Sequence, residues 1–120
     1  MRLILVGFGN LGCGLCEVLA EKRGFLYERY GLKPRVVAVV DDSGAIMDTK
    51  GLDWKLLVAK AKQRAKVCTF PRSKSLSAIE VIERVECDVV FELTPTNIRT
   101  GEPGLSHIRS AMKAHRHVIT

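Results

Sequence analysis

Apolar residues run through this chain in two rhythms, short unbroken blocks and longer stretches spaced at helical intervals. Leu3-Ile4-Leu5-Val6, Val36-Val37-Ala38-Val39-Val40 and Val89-Val90-Phe91 are near-continuous blocks, the pattern of strands buried on both faces of a parallel sheet. Leu15, Val18, Leu19 and Leu26 fall mostly on one helical face, which predicts a long helix from about Asn10 to Tyr30. Gly24 is its weak point, Gly31 its C-cap, and Pro34 prevents continuation. Asp41 and Asp42 end the second block, and Ser43 to Gly51 reads as a connecting loop. Asp53 can cap a second helix with Leu56, Leu57 and Ala61 on its core side. A short third strand is expected over Lys66 to Phe70, stopped by Pro71. Ser77-Ala78-Ile79-Glu80 has capping-box spacing ahead of Val81, Ile82 and Val85. A fourth strand at Asp88 to Leu93, a loop from Thr94 to Pro103, a helix carrying Leu105, Ile108 and Met112, and a fifth strand from His117 complete the series. Strands alternating with helices predict an α/β, Rossmann-type doubly wound parallel sheet. The expected strand order is about 3-2-1-4-5, with helices on both faces.

Composition changes this picture little. With 120 residues, 47% hydrophobic and 27% charged, the chain suits one ordinary globular domain over residues 1–120 rather than a disordered segment. No apolar run approaches bilayer-spanning length, and the first one, Leu3 to Val6 with Phe8, lacks the shape of a signal peptide. Cys13, Cys16, Cys68 and Cys87 are therefore expected as reduced thiols in the cytoplasm. Charge is less even. Residues 50 to 74 hold eight of the basic residues, Lys50 to Lys74, against Asp53 alone, while the whole chain carries +6. Nucleic-acid binding through this stretch would be steeply salt-dependent. The stretch lacks the interleaved aromatic run of a single-strand platform, so a solvated helix face is the favoured reading, with part of it near the adenosine end of a bound nucleotide.

The most specific chemistry lies at the junction of the first strand and first helix. Gly7-Phe8-Gly9-Asn10-Leu11-Gly12 has the Gly-x-Gly-x-x-Gly spacing in the strand-turn-helix context that a dinucleotide fingerprint requires. Gly7 permits the tight turn, Gly9 lets backbone approach a pyrophosphate, and Gly12 lets the helix pack on the sheet. The free N–H groups and dipole of the helix then face the phosphates.

Two further sites fit a dinucleotide. Asp41 ends the second strand, where a carboxylate accepts from adenosine ribose hydroxyls; it lies beyond the usual interval of about 20 residues, which the long first helix explains. A carboxylate there favours NAD over NADP, softened by Lys50 or Lys55 nearby. Thr94-Pro95-Thr96-Asn97 follows the fourth strand at the end of the sheet where ligands bind, beside the glycine turn and near a nicotinamide. Cys13-x-x-Cys16 reads as small core residues rather than a redox or zinc motif. His107, His115 and His117 show no catalytic or metal-binding partner in sequence. Glu92 and Glu102 are the acids closest to the expected site, suited to substrate or loop positioning rather than to paired acid–base work.

Several blocks together resemble homoserine dehydrogenase. They are Gly7 to Gly12, Val39-Val40-Asp41-Asp42-Ser43-Gly44-Ala45-Ile46 with Gly51-Leu52-Asp53, Glu92-Leu93-Thr94-Pro95-Thr96-Asn97, Thr100-Gly101-Glu102-Pro103, Ser106-His107-Ile108 and His117-Val118-Ile119-Thr120. The resemblance covers nearly the whole chain in order; residues 58 to 74 match least. It implies the amino-terminal NAD(P)-binding domain of an enzyme that interconverts homoserine and aspartate semialdehyde, on the route to threonine and methionine. It also implies cofactor contacts at Gly7, Phe8, Gly9, Asn10, Leu11, Gly12, Asp41, Thr94, Pro95 and Asn97, with no catalytic or metal-binding residue. The family continues into an Asn-Lys-Gly-Pro segment and a catalytic domain holding the dimer interface, so the native polypeptide is expected to extend past Thr120. The expected partners are the dinucleotide, that missing domain and, through it, a second copy of the chain, with no nucleic acid and no membrane. The alternative is a stand-alone, non-catalytic nucleotide-binding or regulatory module that pairs with a separate catalytic chain.

Overall fold

A computed structural model describes all of Met1–Thr120. Its elements are β1 (Arg2–Val6), α1 (Asn10–Tyr30), β2 (Arg35–Asp41), β3 (Gly44–Met47), α2 (Trp54–Lys62), a 3-10 turn (Val67–Thr69), α3 (Ala78–Arg84), β4 (Val89–Glu92), α4 (Gly104–Lys113) and β5 (His117–Ile119). They form one five-stranded sheet in the order β3-β2-β1-β4-β5. β1 lies in the centre, parallel to β2 and β4, and β5 is parallel to β4. No helix is long and apolar enough to cross a membrane.

Strand alternation decides which face each helix covers. Ile4 and Val6 of β1 pack with Val81, Ile82, Val85 and Ala111 of the α3–α4 layer. Leu5 packs on the other face with Cys13 and Cys16 of α1 and Leu57 and Ala61 of α2. Both faces of the central strand are thus sealed, which is why its sequence is apolar from Leu3 to Val6.

The helix punctuation follows the side-chain chemistry. Gly31 closes α1 in the left-handed region, at φ 67°, its N–H donating to the Tyr27 carbonyl while the Leu32 N–H donates to that of Leu26. Asp53 accepts the Lys55 N–H at 2.9 Å, and Ser77 accepts the Glu80 N–H at 3.2 Å. The face of α1 that meets the sheet differs from the leucine stripe expected of it. Its buried residues are Gly12, Cys13 and Cys16, while Val18 is exposed. Small side chains bring this helix close to the sheet. A methyl on Gly12 would sit 2.2 Å from the Gly7 carbonyl oxygen.

The third strand is not where the apolar pattern of Lys66 to Phe70 places it. That segment is mostly the 3-10 turn, with Val67 and Phe70 buried three residues apart, a spacing that stacks side chains on one side of a three-residue turn. The strand comes instead from the expected loop Ser43 to Gly51. Gly44–Met47 folds back antiparallel on β2 through a two-residue turn at Asp42 and Ser43. The sheet is therefore mixed at this edge. Asp41 organises the exchange: Oδ1 accepts the Ser43 and Gly44 N–H groups and the Ser43 hydroxyl, and Oδ2 accepts the Val67 N–H at 3.0 Å. The segment after the turn pairs with β3 only at Ala45 and Lys74.

At the opposite end of the sheet Asp88 joins the starts of three strands. Its carboxylate accepts the Arg2 N–H at 2.7 Å and pairs with the Arg2 guanidinium at 3.1 Å, while its carbonyl accepts the His117 N–H. The side-chain and backbone bonds from Arg2 hold the Asp88 carboxyl down at about 2. Because the unfolded chain then binds the extra proton, this contribution is complete above the ordinary carboxylate range and lost as pH falls towards 2. In denaturant titrations between pH 4 and 2, Asp88→Asn should show a shallower loss of stability than the parent; equal slopes would remove the role. Gly12→Ala should destabilise by roughly 3 kcal/mol through overpacking, read from the same titrations at neutral pH.

Candidate functional site

Two backbone turns meet at the carboxyl ends of β1 and β4. The register sets Val6 beside Glu92, so the residues that follow, Gly7 and Leu93, leave the sheet side by side. Leu93 N–H donates to the Val6 carbonyl at 2.8 Å, and Gly7 N–H donates to the Val40 carbonyl at 2.8 Å. Gly7 has φ 102°, and a methyl there would lie 2.8 Å from both backbone atoms of the Leu93 carbonyl. Both the left-handed backbone and the close approach demand glycine.

Gly9 stands differently. It occupies the N-cap of α1 with ordinary extended torsions, φ −86°, and makes no side-chain capping bond. A methyl on Gly9 would meet nothing within 4 Å. The first-turn amides of α1 thus lack a capping side chain where a helix normally has one, and open space lies in front of them.

That space is a cleft of about 1030 Å³, ample for a dinucleotide. Gly7, Phe8, Gly9, Asn10 and Leu11 form its floor. On one side stand Asp41, Asp42 and Ser43, with Arg64 and Lys66 beside them. On the other stand Leu93, Thr94, Pro95, Pro103 and His107. Two positions implied by the resemblance are not at the wall. Gly12 lies behind the floor against Gly7. Asn97 shapes the loop instead, its side-chain oxygen accepting the Arg99 and Thr100 N–H groups.

The basic stretch reaches the cleft through Arg64 and Lys66, not through Lys50 or Lys55. Arg64 pairs with Glu17 at 3.2 Å, and Lys66 lies 3.9 Å from Asp42. Both pairs are substantially exposed, so water screens them and leaves the cations available to an anion.

The sequence gives no reason to single out His107, yet it holds the most buried charge in the molecule. Glu92, the last residue of β4, is 5% exposed. Its Oε1 accepts both the N–H and the hydroxyl of Thr94, and its Oε2 meets His107 Nδ1 at 2.6 Å. Burial alone would push the Glu92 carboxyl up; the bonds from His107 and Thr94 outweigh it and hold the group below its ordinary value. A carboxylate only accepts, so Nδ1 carries the proton of this bond. The available signal was the carboxylate itself: an acid facing inward at the end of an apolar strand requires a donor.

The cysteines play no part here. Cys13 and Cys16 are fully buried, and burial pushes the Cys16 thiol up to about 12, so neither is a ready nucleophile. No group of three or more His, Cys, Asp or Glu side chains converges as metal ligands would.

Comparison with known proteins agrees with this architecture. The family model described as Glutamate/Leucine/Phenylalanine/Valine dehydrogenase matches residues 1–92. Over its full length the chain is 39% identical to 36% of a homoserine dehydrogenase of Methanocaldococcus jannaschii. Over 99% of its length it is 31% identical to 34% of an NAD(+)-dependent homoserine dehydrogenase of Pseudomonas canavaninivorans. The chain thus spans about a third of the length of these curated relatives. A hyperthermophilic archaeal homoserine dehydrogenase in complex with NADPH shares the fold, with a TM-score of 0.68 at 16% identity over 98% of this chain and 42% of that one. The chain belongs to the Glutamate/Leucine/Phenylalanine/Valine dehydrogenase family, and along its whole length it is homologous to the nucleotide-binding part of homoserine dehydrogenases.

Proposed function

We propose that this chain is the NAD(P)-binding domain of a homoserine dehydrogenase and binds the dinucleotide across the cleft without turning over substrate alone. The observation that carries the reading is the uncapped start of α1 at Gly9, open to a cleft walled by Asp41 on one side and Thr94 on the other. The amides of Asn10, Leu11 and Gly12 would hold the diphosphate. Asp41 and Ser43 would take the adenosine ribose, and Thr94 and Pro95 the nicotinamide end. When bound, the nicotinamide carries the hydride; this chain orients it and keeps water from one face. Substrate-binding acids and a catalytic lysine belong, on this reading, to a further domain, as does any pairing of two copies. A cytoplasmic location and a place in threonine and methionine synthesis are part of the same proposal.

Cofactor preference follows from the Asp41 wall. Its carboxylate disfavours a 2′-phosphate, so NAD is preferred. Arg64 and Lys66 moderate that preference by offering cations on the same wall. The names of the relatives fit a site that varies here, one being NAD(+)-dependent and another holding NADPH.

Fluorescence titration should show NADH and NADPH binding, with no oxidation of homoserine by the chain. Turnover would place catalytic residues within it. Gly9→Ala should weaken NADH binding by about tenfold or more, because its methyl occupies the space before the amides, while the thermal midpoint stays near that of the parent. Asp41→Ala should weaken NADH more than NADPH. Four protein donors also depend on this carboxylate, so the ratio of the two affinities, rather than either alone, is the decisive quantity.

A further inference from the structure

Thr94 stands at the cleft wall with a hydroxyl whose hydrogen already has an acceptor. Oε1 of Glu92 takes both the Thr94 N–H and the Thr94 O–H. Glu92 cannot give a proton back, because its carboxyl is held ionised by these bonds and by His107. The Thr94 oxygen is left with lone pairs only, on a residue that lines the cleft.

The arrangement is fixed from the far side. His107 projects from the first turn of α4, with its side chain 11% exposed, and holds Oε2 of Glu92 at 2.6 Å. Gly104, at the start of the same helix, lies close enough that a methyl on it would be 3.5 Å from Oε1. The carboxylate is thus clamped between the end of β4 and the start of α4.

We propose that the Glu92–His107 pair positions and polarises Thr94 so that its hydroxyl oxygen accepts from the carboxamide N–H₂ of a bound nicotinamide. The inference rests on the dinucleotide reading above and adds to it the group recognised at the ring. A carboxamide offers two N–H donors on one nitrogen, and an acceptor-only oxygen selects that end of it over its carbonyl. Thr94 contacts the cofactor; Glu92 and His107 act through it and are positioning residues.

The test compares three ligands by calorimetry on the full chain: NAD, 3-acetylpyridine adenine dinucleotide, which keeps the carbonyl but lacks the N–H₂, and ADP-ribose, which lacks the ring. The parent should bind NAD about tenfold more tightly than the acetylpyridine analogue, the scale of one well-placed hydrogen bond. Thr94→Val and His107→Ala should erase that discrimination and leave ADP-ribose within about twofold. Thr94→Ser should keep it. His107→Asn, which restores a donor near the Nδ1 position, should recover it. Equal affinity of the parent for NAD and the analogue would overturn the proposal. So would discrimination that persists in Thr94→Val, or losses that fall equally on ADP-ribose and so report a merely structural role. If His107→Ala does not fold, the two Thr94 variants decide. A parent that binds none of the three ligands would bring down the dinucleotide reading itself, and this proposal with it.

Discussion

Backbone touches backbone where β1 and β4 leave the sheet, and the geometry of the cleft follows from that contact. Leu93 and Thr94 lie so close to Gly7 that no side chain fits between them. Two parallel neighbours with matched ends, Val6 beside Glu92, force their outgoing turns into one place. One turn runs directly into α1 and supplies amides. The other runs into the Thr94 loop and supplies a polar wall. A floor of main-chain donors beside a wall of side-chain acceptors is therefore a property of strand order before it is a property of individual residues.

The packing of α1 serves the same contact. Leucines at the helix–sheet interface would hold the two apart; Gly12, Cys13 and Cys16 let them close. The thiols are chemically quiet because they are buried, and Cys13 is further occupied by the Phe8 carbonyl at 3.3 Å. What the small residues contribute is distance. Bringing α1 down onto β1 aims its first turn at the cleft rather than past it.

Much of this was legible before any coordinates. Short unbroken apolar blocks rich in valine and isoleucine fit strands covered on both faces, and the glycine spacing at the end of the first block marks the turn whose backbone must be free. The caps at Gly31, Asp53 and Ser77 follow from local chemistry and appear as such. The failures share a cause. Residues 66 to 70 look like a strand because Val67 and Phe70 are apolar, but burial at three-residue spacing serves a 3-10 turn equally well. Gly44–Met47 looks like loop because four residues opening on glycine carry little pattern of their own. Its pairing with β2 is specified by the Asp41 carboxylate, which gathers Ser43, Gly44 and Val67. Such a role depends in part on a donor 26 positions away, and sequence spacing does not display it. The Glu92–His107 contact is hidden for the same reason, since 15 residues of chain separate its partners.

The uneven charge of the chain has a consequence for kinetics as well as for affinity. Arg64 and Lys66 stand at one lip of the cleft, within the stretch that holds the molecule's excess positive charge. A polyanion diffusing near the surface therefore feels attraction on that side before it reaches the amides of α1. Capture of such an anion through this lip should be quickest in dilute buffer and slow as added ions shorten the range of the field, while escape, governed by short contacts inside the cleft, should change far less.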